Sequence, residues 1–348
     1  MAEAVANFEV LQPVDRSLSR SLALVEVSNR GGKASLRYFN RSTGRGAIDP
    51  SDQDHFGDGL LMRQGLTVIW VGWQFDVADD PSLMRLQVPE VLPVDGIDIS
   101  GLVRSDWTVD ETAYTLNLGH RQQVGYPVAN RDDERNVLTV RDSREGPRTV
   151  VERELWDFGR LLDDGSVSDD PTYIYSREGF AAGKIYELVY LSDKPVVTGM
   201  GLAAIRDIIS YAKYDKECPF HVDRGMATGI SQTGRFLRHF LYQGFNTDES
   251  GRMAYDGMMI ITAGAGRGSF NHRYAQPSRD AHRYSAFFYP TDIFPFTSRV
   301  VLDQEQWRSD GLMAHAWIDK HIPKIFYCNT GYEYWGRAAS FDTPILMA

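Results

Sequence analysis

Residues Gly229-Ile230-Ser231-Gln232-Thr233-Gly234-Arg235 follow a short apolar run, Met226 to Thr228, and lead directly into Phe236, Leu237, Phe240 and Leu241 at helical spacing. This order predicts a strand, a sharp turn and a helix, with the serine at the tip of the turn. A serine placed there is held in a strained backbone conformation with its hydroxyl projecting, and the next backbone N–H is set to face a developing oxyanion. Small residues must flank it. Gly229 stands two places before the serine, but two places after it stands Thr233, with Gly234 one step later. The pattern is therefore G-x-S-x-x-G and not the commoner G-x-S-x-G. The alternative is a plain strand-to-helix turn whose serine caps the helix N-terminus.

Upstream of this elbow, Ala23 to Val27 reads as a strand running into a glycine-containing loop, Asn29-Arg30-Gly31-Gly32-Lys33. Phe56 to Gln64 reads as a short helix that Gly65 ends as a C′ glycine. Leu66 to Trp73 is near-continuously apolar and β-branched, as expected of a parallel strand covered on both faces. From about 76 to 181, short alternating segments separated by charged and Pro/Gly turns predict a β-rich insertion or lid. Leu202, Ile205, Ile209 and Ala212 mark an amphipathic helix beginning near Gly199. Downstream, Met258 to Thr262 and Lys324 to Asn329 read as strands, with a helix expected from about Asp303 to Lys320. Strand-helix-strand units around a serine elbow predict an α/β fold with a mainly parallel, doubly wound sheet, a single domain over 1–348 with 76–181 inserted in it.

The chain has 348 residues, 43% of them apolar and 24% charged, enough to bury one large core. A net charge of -10 and a pI near 5.3 argue against a nucleic-acid surface, and no dense Lys/Arg run overrules that. Cys218 and Cys328 lie far apart in apolar segments and read as two reduced core thiols of a cytosolic protein rather than a disulfide. An acidic start without a long apolar stretch predicts neither a signal peptide nor a membrane span, so the expected location is cytoplasmic. Gly264-Ala265-Gly266-Arg267-Gly268 has the wrong spacing for a dinucleotide loop. Asp49, Asp52, Asp54 and Asp58 match a cation loop only loosely and read as a solvated, helix-capping run. No metal or organic cofactor is expected.

The elbow, Asn29-Arg30-Gly31, Phe56-Gly57-Asp58-Gly59, Gly72-Trp73-Gln74, Ile185 to Leu188, Gly264 to Arg273 and Glu333-Tyr334-Trp335-Gly336-Arg337 together resemble the α/β-hydrolase fold, and more narrowly the group called α/β-hydrolase domain proteins. The resemblance runs from about residue 20 to 340. It implies a serine hydrolase whose nucleophile, acid and histidine occur in that chain order. Ser231 takes the first role. Glu333, three residues past the strand 324–330, is the candidate acid, with Asp292 the alternative; a salt bridge from Glu333 to Arg337 is the structural counter-reading. None of the eight histidines follows Glu333. The resemblance therefore implies a chain cut short, lacking its base and its last strand and helix, which would expose a sheet edge and apolar faces. His272 is the best-placed internal substitute, ahead of His282. The oxyanion would be met by Gln232, through its backbone N–H with its side-chain amide as a further donor, and by the Asn29, Arg30 and Gly31 loop. Glucuronoyl esterases are similar in spelling G-x-S-x-x-G-[K/R], which makes a small carboxylic ester or acyl compound the expected substrate. A catalytically inactive binding module on the same fold is the competing expectation.

Overall fold

The structure, a computed structural model, describes residues 3–41, 52–93, 95–96, 99–279 and 293–342. The chain forms two compact units. The larger comprises Ala4–Gln87, Gly199–Phe270 and Thr291–Ala348; the smaller comprises Met1–Glu3, Val88–Thr198 and Asn271–Pro290.

A six-stranded sheet forms the centre of the larger unit. Its strands are β1 (Phe8–Leu11), β2 (Leu22–Val27), β3 (Thr67–Val71), β4 (Arg224–Ile230), β5 (Gly257–Ile261) and β6 (Lys324–Cys328). The spatial order is β6-β5-β4-β2-β3-β1. All neighbouring pairs are parallel except β1, which runs antiparallel to β3. Alternation along the buried strands divides the core between two faces. Ala23, Val25, Val27, Ile69 and Val71 pack with Leu202, Ile205 and Ile209 of the helix Met200–Tyr214 and with Phe236, Leu237, Phe240 and Leu241 of the helix Gln232–Tyr242. Leu24, Val68 and Trp70 pack with Leu36 and Leu61 of the short helices Ala34–Phe39 and Leu60–Arg63. Among the described strands β6 pairs only with β5, and Phe326 on it is exposed.

The chain departs from the sequence reading at three places here. The helix expected over Asp303–Lys320 is a short hairpin, Val301–Asp303 with Arg308–Asp310, followed by a helix of only six residues, Ala314–Asp319. The chain turns at one end: the Asp303 carboxylate accepts from the N–H groups of Glu305 and Gln306, and Trp307 then takes a positive φ that an α-helix does not admit. Gly311 breaks the remainder. The helix read over 56–64 is two pieces, Gln53–Phe56 and Leu60–Arg63, separated where Gly57 and Gly59 take positive φ. Cys218 is buried, but Cys328 is exposed on β6 and belongs to no core; both are free thiols.

The smaller unit is antiparallel. Gly101–Thr108, Ile185–Ser192, Val137–Arg141 and Thr149–Val150 form a four-stranded sheet, and Trp156–Phe158, Tyr173–Phe180 and Ala113–Asn117 a three-stranded one. It begins later than residue 76 because the segment before it is bound to the large sheet's loops, with Met84 N–H on Gly31 O and Leu86 N–H on Gln74 O. Its centre holds a buried charge network. Arg104 bridges Asp106 (2.8 Å) and Glu187 (2.5 Å), Arg279 reaches Asp106 at 3.1 Å, and Arg141 and Arg148 reach Glu187 at 3.1 and 2.7 Å. Burial alone would raise the Glu187 pKa, but hydrogen bonds from Arg148 and Arg104 and the charges of Arg104 and Arg141 outweigh it, and the net shift is downward.

A carboxyl with a depressed folded pKa stabilises the fold above its unfolded value, and that contribution disappears as pH falls through the folded value. Unfolding free energy from urea titrations followed by tryptophan fluorescence should therefore fall as pH drops below the ordinary glutamate range, and Glu187→Gln should flatten that slope. An unchanged slope in Glu187→Gln would rule out this carboxylate as a source of the acid sensitivity.

Candidate active site

Parallel pairing brings the carboxyl ends of β2, β4, β5 and β6 to one edge of the sheet, the edge at which such sheets carry chemistry. The loop Asn29–Gly32 leaves β2 there, the serine turn leaves β4, the loop 262–268 leaves β5, and Glu333 follows β6.

Ser231 has φ 59° and ψ −110° and is exposed. A serine in that region of backbone space costs on the order of 1–3 kcal/mol and persists only when its surroundings enforce it. Three bonds do so. Ser231 N–H donates to Ile261 O on β5 at 2.8 Å, Arg235 N–H donates to Ser231 O at 3.0 Å to open the helix, and Thr233 Oγ1 accepts from Ile230 N–H at 2.9 Å. The side chain of Ser231 does not cap the helix, so the capping alternative does not hold. Thr233, which occupies the position of the usual glycine, closes a second contact by donating its hydroxyl to Ile230 O at 3.2 Å.

The glycines explain the irregular spacing. A Cβ on Gly229 would stand 2.4 Å from Thr233 O and 2.8 Å from Gly234 N, and one on Gly234 would stand 3.0 Å from Ile261 O and 3.1 Å from Gly229 O. Strand and helix cross where these two residues meet, so the second glycine falls three places after the serine.

On the β2 side, Asn29 reaches across the strand ends. Its side-chain N–H donates to Ile230 O, the carbonyl immediately before Ser231, at 2.8 Å, and its own oxygen accepts from the Arg30 guanidinium at 2.9 Å. Gly32 N–H bonds back to Asn29 O at 2.9 Å, closing a tight turn in which Arg30 and Gly31 both have positive φ. Gly31 admits no side chain, because a Cβ would lie 2.8 Å from that of Leu83 and 2.9 Å from Val77. Beneath the loop, Glu26 is buried and accepts from Ser35 N–H (2.8 Å) and Trp70 Nε1–H (2.6 Å); burial raises its pKa against the pull of these donors.

Gln232 begins the helix and is fully buried. The first N–H groups of a helix have no intrahelical acceptor and carry the positive end of its dipole. Its side-chain amide is turned to Gln74 Oε1 at 3.0 Å. Glu333 lies just past β6 in the six-residue helix Gly331–Gly336, but its Oε2 accepts from Thr330 N–H at 2.9 Å and from the Thr330 hydroxyl, and the Thr330 hydroxyl accepts from Tyr332 N–H. This is a capping box, spelled by Thr330-Gly331-Tyr332-Glu333, a signal that neither the acid nor the Arg337 reading used. The loop 262–268 is tied to the same region by Ala265 N–H on Arg337 O at 2.9 Å.

His272 is exposed and belongs to the smaller unit. Asp292 and His282 lie outside the described residues. Among the described residues no side chain is hydrogen-bonded to Ser231 Oγ, and none of their His, Cys, Asp and Glu side chains form a group of three or more able to hold a metal ion. No helix among them is long and apolar enough to cross a membrane.

Residues 166–305 match a family model described as an alpha/beta hydrolase domain. No curated protein and no solved structure matches the chain. The matched stretch contains the elbow strand, Ser231 and the helix behind it, and with the strained serine at the edge of a largely parallel sheet it supports a place in the α/β-hydrolase superfamily.

Proposed function

We propose that the protein is a serine hydrolase acting on a carboxylic ester or related acyl compound, with Ser231 as nucleophile. One observation carries this reading: Ser231 is exposed in a strained backbone conformation while its hydroxyl caps nothing. In the proposed reaction a base takes the Ser231 proton, Oγ bonds to the acyl carbon, and the carbonyl oxygen becomes an oxyanion facing the Gln232 backbone N–H and the Asn29–Gly31 loop. The leaving alcohol receives the proton, and water then releases the acid from the acyl-enzyme. His272 is the candidate base. Glu333 is the candidate acid, and its Oε2 bond to Thr330 makes its first task the capping of its own helix. No metal or organic cofactor enters this chemistry.

A second reading, a hydrolase-fold binding module, is favoured by the lack of any side chain hydrogen-bonded to Ser231 Oγ among the described residues. Without a base, only oxyanion stabilisation and substrate binding contribute to rate. A fluorophosphonate probe separates the two. Mass mapping of the modified peptide should find the adduct on Ser231 and none in Ser231→Ala. Folded protein that stays unlabelled at Ser231 would remove the nucleophile and leave the binding module.

A further inference from the structure

Gln74 stands just past β3, in a motif to which the proposed reaction gives no task. Its side chain is fully buried, as is that of Gln232, and Asp76 is nearly so. The three are joined in series: Gln74 Nε2 donates to Asp76 Oδ1 at 2.6 Å, and Gln74 Oε1 accepts from Gln232 Nε2 at 3.0 Å. The direction of this chain is forced. A carboxylate only accepts, so Asp76 draws the NH2 end of Gln74 towards itself. The carbonyl end of Gln74 then faces Gln232 and draws the NH2 end of that amide inwards. A terminal amide alone has two nearly isosteric orientations; with a carboxylate at one end, both amides in the series are left with one.

The backbone N–H of Gln232 is the donor assigned to the oxyanion, and it belongs to the residue whose side chain this series immobilises. Resting on the reading of Ser231 as nucleophile, we infer that Asp76 and Gln74 are positioning residues: they fix Gln232 from the side away from substrate and thereby aim its peptide N–H beside Ser231. Asn29 in turn holds the Ile230 carbonyl at 2.8 Å, so the peptide before the serine is anchored directly by a side-chain amide and the residue after it through its own side chain. The assignment also gives the Gln232 side-chain amide a structural task in place of an oxyanion contact.

The test uses the full chain with 15N-glutamine labelling and three variants. Asp76→Ala removes the terminal acceptor. Gln74→Met keeps length and volume but removes both bonds. Asp76→Asn keeps an acceptor oxygen and the packing. In Asp76→Ala and Gln74→Met, the side-chain and backbone N–H resonances of Gln232 should move, and the maximal rate of fluorophosphonate labelling of Ser231 should fall on the order of ten- to a hundredfold with the probe's half-saturating concentration unchanged. Asp76→Asn should recover most of both. Gln232 resonances that stay in place in the folded variants would overturn the relay, as would a labelling rate that does not change. If the parent chain is unlabelled while the Gln232 resonances move on substitution, the relay stands as a buried amide series and the nucleophile reading falls. The two ideas therefore fail separately.

Discussion

Gly229→Ala should reduce labelling of Ser231 by a fluorophosphonate at least about a hundredfold and destabilise the chain by about 1–3 kcal/mol. The added methyl would lie 2.4 Å from Thr233 O, 2.5 Å from Thr233 C and 2.8 Å from Gly234 N. All three are backbone atoms, so no rotamer change relieves the contact. The first turn of the helix must move away from the strand, and it carries the Gln232 N–H and Thr233, whose hydroxyl holds Ile230. A displacement of about 1 Å at reacting groups is worth about two decades of rate. Gly251→Ala is the control for labelling: its positive φ makes the substitution cost stability, but its added methyl meets nothing within 4 Å. Labelling rates and melting curves measured on both proteins decide the matter: Gly229→Ala labelled at close to the parent rate would mean that the crossing does not set the serine's geometry.

Arg238→Ala should cost about 3–5 kcal/mol. The guanidinium is almost completely buried behind the elbow. It donates to Ala265 O at 3.0 and 2.7 Å and to Phe296 O at 3.3 Å, and it pairs with Asp342 at 2.8 Å. Removing it leaves the Asp342 carboxylate with the Ser298 N–H and hydroxyl, each at 2.8 Å, but without its cation. A buried charge stripped of its partner is far more costly than the pair was favourable. Urea unfolding of Arg238→Ala, Asp342→Ala and the double variant should show strong non-additivity, the double costing much less than the sum. Additive losses would show that the pair is not coupled. The same substitution frees the carbonyl of Ala265, so the loop after β5 should lose protection from hydrogen exchange before the rest of the sheet does.

What the sequence made legible was what short-range rules govern. The serine turn, the glycine loop after β2 and the helix 200–214 were all readable because apolar spacing and glycine placement act within a few residues. The sheet-edge location of Ser231, Asn29 and Glu333 followed from strand order. The Asn29 bond to Ile230 spans 201 positions, and the Gln232 bond to Gln74 spans 158; no local pattern encodes a partner that distant. The Asp303 region failed for a different reason. The chain there reverses at Trp307, in positive φ, into a hairpin whose pairing the helical spacing does not announce. Glu333 is a local signal of another kind: the spelling Thr330-Gly331-Tyr332-Glu333 encodes a capping box, while the helical spacing of Glu333 with Arg337 points to a pair that the fold does not use for it.

The meeting of Gly229 with Gly234 bears on how serine elbows are described. A spelling such as G-x-S-x-G records where glycine usually falls along the chain, whereas the physical demand is that two backbones cross without side chains between them. Thr233 is tolerated at the expected glycine position because its side chain turns back to Ile230 and stays out of the crossing. Written as a contact between a strand residue and a helix residue, the requirement admits both spacings, and it excludes a correctly spelled segment whose strand and helix do not touch.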